Sequence, residues 1–246
     1  MYVSDAARSR LVVFDTTGER VAEWGRDRLG IRRPMHISFA ADSLLYVADF
    51  SGDRVVALDT AGRIVRVVGG RSGSGVGELD APGGAALLGD TLFVADFYNH
   101  RVQSFGPARR ESVGTPGRVL PGRLHYPTDV AVSDSLVYVG DAYNHRIQVF
   151  RSDGAHLESW GGPLGIGLPG PFKGWFRVAT GVEVADGKVY VADFYNDRIQ
   201  IFSEAGGFLG QVDTLLNRPT DSAVAPDGTL YVADYGNRRI VRFRPE

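Results

Sequence analysis

Residues 94–102 read VADFYNHRV and contain the signature that decides the fold: an Asp, four further residues, an Arg and a branched apolar residue. The signature recurs along the chain at intervals of 41 to 52 residues. Its copies begin at Asp5, Asp49, Asp96, Asp141, Asp193 and Asp234. A unit of short strands that recurs every roughly 40 to 50 residues is typical of a β-propeller. We therefore predict six blades, one for each copy.

Each copy lies within a set of four strand-like segments, which residues 126–161 show most clearly. An apolar inner segment over residues 126–132, entered through a Pro, is followed by an alternating second segment, a third segment that begins at Arg146 and a more polar outer one. The same order recurs around Pro34, Pro82 and Pro219. We predict an all-β, six-bladed propeller with four-stranded antiparallel blades, forming a single domain over residues 1–246.

The first and last blades are predicted to be incomplete. The first lacks the innermost strand segment and the last lacks the outermost one. Either two three-stranded blades meet at the seam, or residues upstream of Met1 have been lost, and we favour the loss. A lost leader predicts an exported protein; otherwise we expect a cytoplasmic one. The chain itself starts with a strand segment and not with a signal peptide.

The composition excludes several function classes. A net charge of −2 does not attract nucleic acid or anionic membranes, and no apolar run approaches the roughly 20 residues of a membrane span. The chain has no Cys, which excludes disulfides and thiolate chemistry. We expect a monomer that binds a protein, a peptide or a small molecule, and we do not expect nucleic acid as a partner.

Two stretches make the chain similar to a known repeat family: residues 94–102 and residues 191–199, which read VADFYNDRI. The pairs Asn99-His100 and Asn144-His145 match letters that name the NHL repeat. Over essentially its whole length the chain resembles the NHL-repeat β-propellers. The resemblance implies no single activity, because such propellers include RNA-binding modules, protein-binding sensor domains and peptidyl-amidoglycolate lyases. Related six-bladed propellers include lactonases and strictosidine-synthase-like enzymes.

The signature Asp and Arg are predicted to have a structural role, because equivalent copies in every blade cannot all be catalytic. An Asp at a strand end accepts N–H groups of the following turn, and the Arg on the next strand can reach a carboxylate with its guanidinium fork. We expect the Asn three residues after the Asp, such as Asn99, to take the positive-φ position of this turn. These residues would then hold the blades together.

The loops at one end of the blades are the candidates for a ligand-binding face. The connections between second and third strands meet there with the connections that lead into the inner strands, around the mouth of the central channel. The longest connection, residues 161–177, belongs to this set. Aromatic and Arg side chains are frequent anchors of binding sites. The predicted ligand-binding residues are Tyr98, Tyr143, Tyr195, Tyr235, Phe172, Trp175 and Arg177.

The inner strands carry titratable residues at positions predicted to line the central channel. One imidazole and several carboxylates around an axis could hold a divalent cation: oxygen ligands suit Ca²⁺, and an imidazole favours Zn²⁺. The predicted metal ligands are His36, Asp129, Glu183 and Asp221. The lyases of the resembled family use several His ligands for zinc, whereas only His36 lies at such a position here, which argues against a lyase site.

Three functions follow from these patterns. The leading prediction is a non-catalytic binding or scaffold propeller that recognises a protein, a peptide or a small ligand on the loop face. The alternative is a metal-dependent hydrolase or lyase at the channel mouth, similar to a lactonase or a peptidyl-amidoglycolate lyase, in which the ion activates water and Arg177 stabilises an oxyanion. RNA binding is the weakest of the three, because phosphate contacts need a basic patch. We assign no catalytic residue.

Overall fold

Short antiparallel strands form most of the secondary structure in residues 1–107 and 110–244, which are the residues that the computed structural model describes. They form six sheets that each contain one copy of the signature, and these sheets are the blades of an all-β, six-bladed propeller. The chain divides into two compact units, residues 1–112 and 113–246, which carry blades one to three and blades four to six.

In the first unit, the strands of each blade lie side by side in chain order. Blade one contains β1 (Tyr2–Asp5), β2 (Arg10–Phe14) and β3 (Arg20–Trp24). Blade two contains β4 (Pro34–Phe39), β5 (Leu45–Asp49), β6 (Arg54–Leu58) and β7 (Ile64–Gly69). Blade three contains β8 (Pro82–Leu88), β9 (Thr91–Asp96), β10 (Arg101–Phe105) and β11 (Arg110–Val113). The first blade is three-stranded in the described residues, as predicted.

The second unit begins with a short parallel pair that the sequence did not predict, β12 (Thr115–Pro116) and β13 (Arg123–Leu124). Blade four contains β14 (Pro127–Ser133), β15 (Leu136–Asp141), β16 (Arg146–Arg151) and β17 (His156–Trp160). Blade five contains β18 (Ala179–Ala185), β19 (Lys188–Asp193), β20 (Arg198–Ser203) and β21 (Phe208–Val212). Blade six contains β22 (Pro219–Val224), β23 (Leu230–Asp234) and β24 (Arg239–Phe243), and it is three-stranded in the described residues.

Apolar side chains between neighbouring blades form the core of each unit. In the first unit, Trp24 of blade one belongs to one buried cluster with Val47 of blade two. In the second unit, Tyr138 of blade four belongs to a cluster with Val191 of blade five. The core is therefore divided among the blade-to-blade contacts, and each blade presents apolar residues on both faces of its middle strands.

A single turn of 3-10 helix joins the second and third strands of blades two to six, and the equivalent turn of blade one joins β1 and β2. These turns are Ala6–Arg8, Phe50–Gly52, Phe97–Asn99, Ala142–Asn144, Phe194–Asn196 and Tyr235–Asn237. The residue after each turn has a φ of 51° to 55°: Ser9, Asp53, His100, His145, Asp197 and Arg238. The prediction that the Asn takes this conformation is wrong. The Asn ends the turn one residue earlier, and its side chain is used to bind the signature Asp.

The remaining helices are short. They are α1 (Arg26–Leu29) and a 3-10 turn at Pro163–Gly165, the latter within the longest connection. In the part of the chain that the structure describes, no helix has both the length and the apolar character needed to cross a membrane.

Candidate functional site

The signature Asp joins three parts of its own blade. In blade five, Oδ1 of Asp193 accepts a hydrogen bond from the backbone N–H of Arg177 (2.7 Å), just before the inner strand. Its Oδ2 accepts one from Nε of Arg198 (2.9 Å). The side-chain amides of Asn196 and Gln200 donate to the same oxygen at 2.8 and 3.1 Å. The carboxylate thus fixes the start of the inner strand to the turn and to the third strand, which supports the structural role.

The signature Arg holds the connection that leads into its blade. The Nη groups of Arg198 donate to the carbonyl oxygens of Pro171 (2.9 Å), Phe172 (2.8 Å) and Trp175 (2.9 Å). Arg198 and Asp193 are both buried. The guanidinium therefore reaches the carboxylate with Nε and uses its other N–H groups for backbone carbonyls, instead of placing its whole fork on the carboxylate. The longest connection is consequently ordered by the blade that follows it.

A second contact links neighbouring blades within each unit, and the sequence reasoning missed it. The positive-φ residue of one blade accepts a backbone N–H that lies just before the inner strand of the next. Nδ1 of His145 accepts from Val178 (3.1 Å), and Oδ1 of Asp197 accepts from Arg218 (2.7 Å). Asp53 binds the N–H of Ala81 in the same way (2.9 Å). The sequence signal for this contact was a residue with a hydrogen-bond acceptor in its side chain, directly before the signature Arg.

Four of the predicted ligand-binding residues lie at one end of the blades in the second unit: Tyr143, Arg177, Tyr195 and Tyr235. The guanidinium carbon of Arg177 lies 5.7 Å from the ring centroid of Tyr195. The guanidinium carbon of Arg218, which was not predicted, lies 5.9 Å from the same centroid. Phe194 connects this group to blade six, because its ring lies 4.8 Å from that of Tyr195 and 6.2 Å from that of Tyr235. Tyr195 and Tyr235 remain 50% and 63% exposed.

Tyr143 stands at the equivalent turn of blade four. Its ring lies 5.0 Å from that of Tyr126 and 6.0 Å from that of His125, both of which precede the inner strand of the same blade. The side chain of Tyr143 is half exposed. We refer to Tyr143, Arg177, Tyr195, Arg218 and Tyr235 together as the turn face.

The other predicted face residues lie elsewhere. Phe172 and Trp175 contact each other edge to face, with ring centroids 5.1 Å apart. Between them in sequence, Nζ of Lys173 lies 5.7 Å from the ring of Phe208 on the outer strand β21, so this part of the connection reaches the outer side of blade five. Tyr98 belongs to the first unit, where its ring lies 5.1 Å from that of Phe97.

The electrostatic environment of the turn face is positive. Burial and the charges of Arg177 and Arg118 lower the pKa of His145, and burial and Arg118 lower that of His125. Among the residues that the structure describes, neither Arg177 nor Arg218 forms an ion pair with a carboxylate. Both side chains are exposed. The face therefore carries guanidinium groups that form no ion pair within the described part of the chain.

Three of the predicted metal ligands lie on the inner strands of the second unit: Asp129 on β14, Glu183 on β18 and Asp221 on β22. Oδ2 of Asp129 accepts the backbone N–H of Val182 on the neighbouring blade (3.0 Å). Burial raises the pKa of Glu183 to about 8, and the charges of Asp221 and Asp129 add to the shift. The inner strands approach closely here, since a Cβ on Gly181 would lie 2.6 Å from the carbonyl oxygen of Thr220. These side chains therefore form an acidic cluster.

The fourth predicted ligand, His36, lies on β4 of the first unit, where its side chain is buried. Its participation in a metal site stays a prediction.

Comparisons with known proteins agree with this architecture. Three segments match the model of the NHL repeat, at residues 124–150, 176–202 and 216–243, which correspond to blades four, five and six. No curated protein matches the chain.

Solved structures show the same fold at low sequence identity. The chain is similar to the crystal structure of a nidogen/laminin complex, with 15% identity, a TM-score of 0.74 and coverage of 99% of this chain and 88% of that one. It is also similar to a streptogramin B lyase (12% identity, TM-score 0.68, 100% and 79% covered). A catalytically inactive virginiamycin B lyase from Staphylococcus aureus with quinupristin matches with 12% identity, a TM-score of 0.64 and coverage of 97% and 78%.

The NHL model matches blades four to six, and the signature that these blades share recurs in the other three. The three matches and the six-bladed fold together support an NHL-repeat propeller family for this chain.

Proposed function

We propose that this chain is a non-catalytic recognition propeller that binds a peptide or protein segment on the turn face. The observation that supports it most is the pair of exposed guanidinium groups, those of Arg177 and Arg218, around the half-exposed ring of Tyr195. Aromatic and Arg side chains contribute most of the binding energy in many interfaces. Their backbone positions are fixed by hydrogen bonds to buried strands, so little ordering would be needed on binding.

The experiment is selection of peptides from a random phage-displayed library on the immobilised full chain. We expect enriched peptides whose affinity falls at least about 5-fold with Tyr195→Ala, because loss of a central aromatic anchor costs more than about 1 kcal/mol. Leu209→Ala is the control, since Leu209 is a similarly exposed residue (56%) on the outer strand β21. Enriched peptides that bind Tyr195→Ala as tightly as the native chain would exclude the turn face as the binding surface.

A second candidate is a metal-dependent hydrolase or lyase that uses the acidic cluster. Asp129, Glu183 and Asp221 would supply oxygen ligands, and His36 would add the imidazole that the alignment of the blades predicts. A bound divalent ion would supply activation of water or polarisation of a carbonyl group. The raised pKa of Glu183 favours this candidate, because a cation would relieve the repulsion that the cluster experiences when all its carboxylates are ionised.

Metal analysis by inductively coupled plasma mass spectrometry separates the two candidates. Near-stoichiometric calcium or zinc in the purified, untagged chain, lost in His36→Ala, would favour the metal-dependent enzyme and justify lactone, ester and amidoglycolate assays. Absence of metal from both proteins would leave recognition as the function.

A further inference from the structure

Two arginines on the turn face project from a backbone segment with a constrained geometry. Arg218 has a φ of 50°, although it precedes Pro219, and residues before a proline normally prefer extended backbone. Arg177 is followed by Val178, a β-branched residue with a φ of 69°. Positive φ is rare for such residues and persists only where surrounding contacts enforce it. The same conformation occurs before the inner strands of blades three and four, at Ala81 and Tyr126, so it belongs to the repeat and fixes the backbone from which the two arginines project.

The contacts that enforce this geometry aim both arginines at one ring. The N–H of Arg218 is bound by Asp197 (2.7 Å), and the carbonyl of Arg177 accepts the N–H of Tyr195 (3.1 Å). Asp197 and Tyr195 belong to the same turn of blade five. A guanidinium group stacked on an aromatic ring loses less rotamer freedom on binding than a free one. The two cations are thus pre-organised around Tyr195.

We infer that Arg177 and Arg218 form a clamp for a carboxylate of an acidic peptide or protein segment, with the ring of Tyr195 as the floor of the site. This inference rests on the proposed function and specifies its ligand. A guanidinium group matches the planar geometry of a carboxylate and can bind both of its oxygens. The described part of the chain supplies no carboxylate to either arginine, so both guanidinium groups are available to an external one.

A carboxylate is favoured over a nucleic-acid phosphate by the surrounding charges. A strand of phosphates needs a continuous row of cations, whereas this site offers two guanidinium groups around one ring. The chain has a net charge of −2, and the acidic cluster lies on the inner strands of the same three blades. The acidic cluster and the negative net charge would repel a long polyanion, whereas a short acidic segment can contact the two arginines without approaching the cluster.

The test is a fluorescence-polarisation titration of the full chain with three fluorescein-labelled probes: a decapeptide of alternating Glu and Tyr, its alternating Gln and Tyr counterpart, and a decamer of uridylate. We expect the Glu peptide to bind most tightly. Arg177→Gln and Arg218→Gln should each weaken it about 3- to 10-fold, as for exposed or half-exposed charged contacts. Arg151→Gln is the control of equal charge, since Arg151 lies at the opposite end of blade four beside Asp153 (3.2 Å).

The outcomes separate the clamp from the binding face. Equal binding of the Glu and Gln peptides, with a loss in Tyr195→Ala, would overturn the clamp and leave the turn face as a binding surface. Loss of affinity in Arg151→Gln equal to that in the clamp variants would show general charge attraction and overturn the clamp. Tighter binding of uridylate than of the Glu peptide would overturn the choice of carboxylate. Absence of any Tyr195-dependent binding would count against both proposals.

Discussion

His145 shows how one residue serves two purposes. It takes the positive-φ position after the 3-10 turn, and its Nδ1 accepts the N–H of Val178 on the next blade, so that the proton of the neutral ring lies on Nε2. The equivalent acceptors in other blades are Asp53 and Asp197. The presence of a His at this position of blade four is therefore explained by the need for a hydrogen-bond acceptor.

The acceptor role predicts the effect of substitutions at this position. His145→Asn keeps an acceptor and tolerates positive φ, and we expect its free energy of unfolding to stay within about 0.5 kcal/mol of the native value. His145→Gly tolerates the backbone but leaves the N–H of Val178 unpaired, which should cost about 1 to 2 kcal/mol. Urea denaturation at pH 7.5 measures both. Equal losses in the two variants would contradict the acceptor role.

Protonation of His145 should have the same effect as removing its acceptor. Burial and nearby guanidinium groups lower its pKa below 6.5 in the folded chain. Its contribution to stability is therefore present above the unfolded pKa and is lost as the pH falls through the folded pKa. An NMR titration of the ring should give a pKa below 6.5 for the native chain. A value at or above 6.5 would show that the neutral, accepting form is not favoured.

The contribution of Glu183 to stability has the opposite pH dependence, because its pKa is raised in the folded chain. Its folded pKa of about 8 lies above the ordinary value of 4.5, so the folded state holds a proton that the unfolded state releases. Its contribution to stability is present below pH 4.5 and is lost as the pH rises towards 8, by about 1.4 kcal/mol per unit of pKa difference at most. In Glu183→Gln, the free energy of unfolding should decrease less as the pH rises. Urea denaturation from pH 5 to pH 9 measures it, and an unchanged slope in the variant would remove Glu183 as the cause.

At the scale of the element, the inner strands depend on the absence of side chains where they meet. A Cβ on Gly181 would lie 2.6 Å from the carbonyl oxygen of Thr220 and 2.8 Å from Oδ1 of Asp221. We expect Gly181→Ala to lower the free energy of unfolding by about 1 to 3 kcal/mol, because the backbone of blade six must move.

Gly210→Ala is the matched control for this substitution. Gly210 also lies in a strand of blade five, but a Cβ there would meet no heavy atom within 4 Å. In urea denaturation, Gly181→Ala should lose more of the free energy of unfolding than Gly210→Ala. A loss in Gly181→Ala no larger than that in Gly210→Ala would contradict the close approach of the inner strands.

The elements also mark the limit of sequence reasoning. The signature and its spacing predicted the blades, their strand order and the three-stranded first and last blades, because hydrophobic alternation and turn residues are local properties. They did not predict Arg218 on the turn face, since proline normally excludes positive φ at the preceding residue. Phe172 and Trp175 were grouped with Tyr195 because they share an end of the propeller. The bonds from Arg198 instead hold their loop against the third and outer strands.

At the scale of the whole molecule, repetition separates structure from recognition. The Asp–Arg pair of the signature forms in every blade, and both of its members are buried in blades four and five. On the turn face, Tyr143 and Tyr195 occupy equivalent positions of the repeat, whereas the positions of Arg177 and Arg218 carry other residues in blade four, which gives the face the asymmetry that a site for one ligand requires. Fold and function therefore use different residues of the same repeat, and the turn face could change its ligand without loss of the propeller.

Hydrogen–deuterium exchange of the full chain with a selected peptide tests recognition at the turn face most directly. Slower exchange is expected at the turns 194–197 and 235–238 and in the segment 215–218, with no change at the opposite-end turns 152–155 and 204–207. Protection at the opposite-end turns, or no peptide-dependent protection at the turn face, would contradict the proposed function.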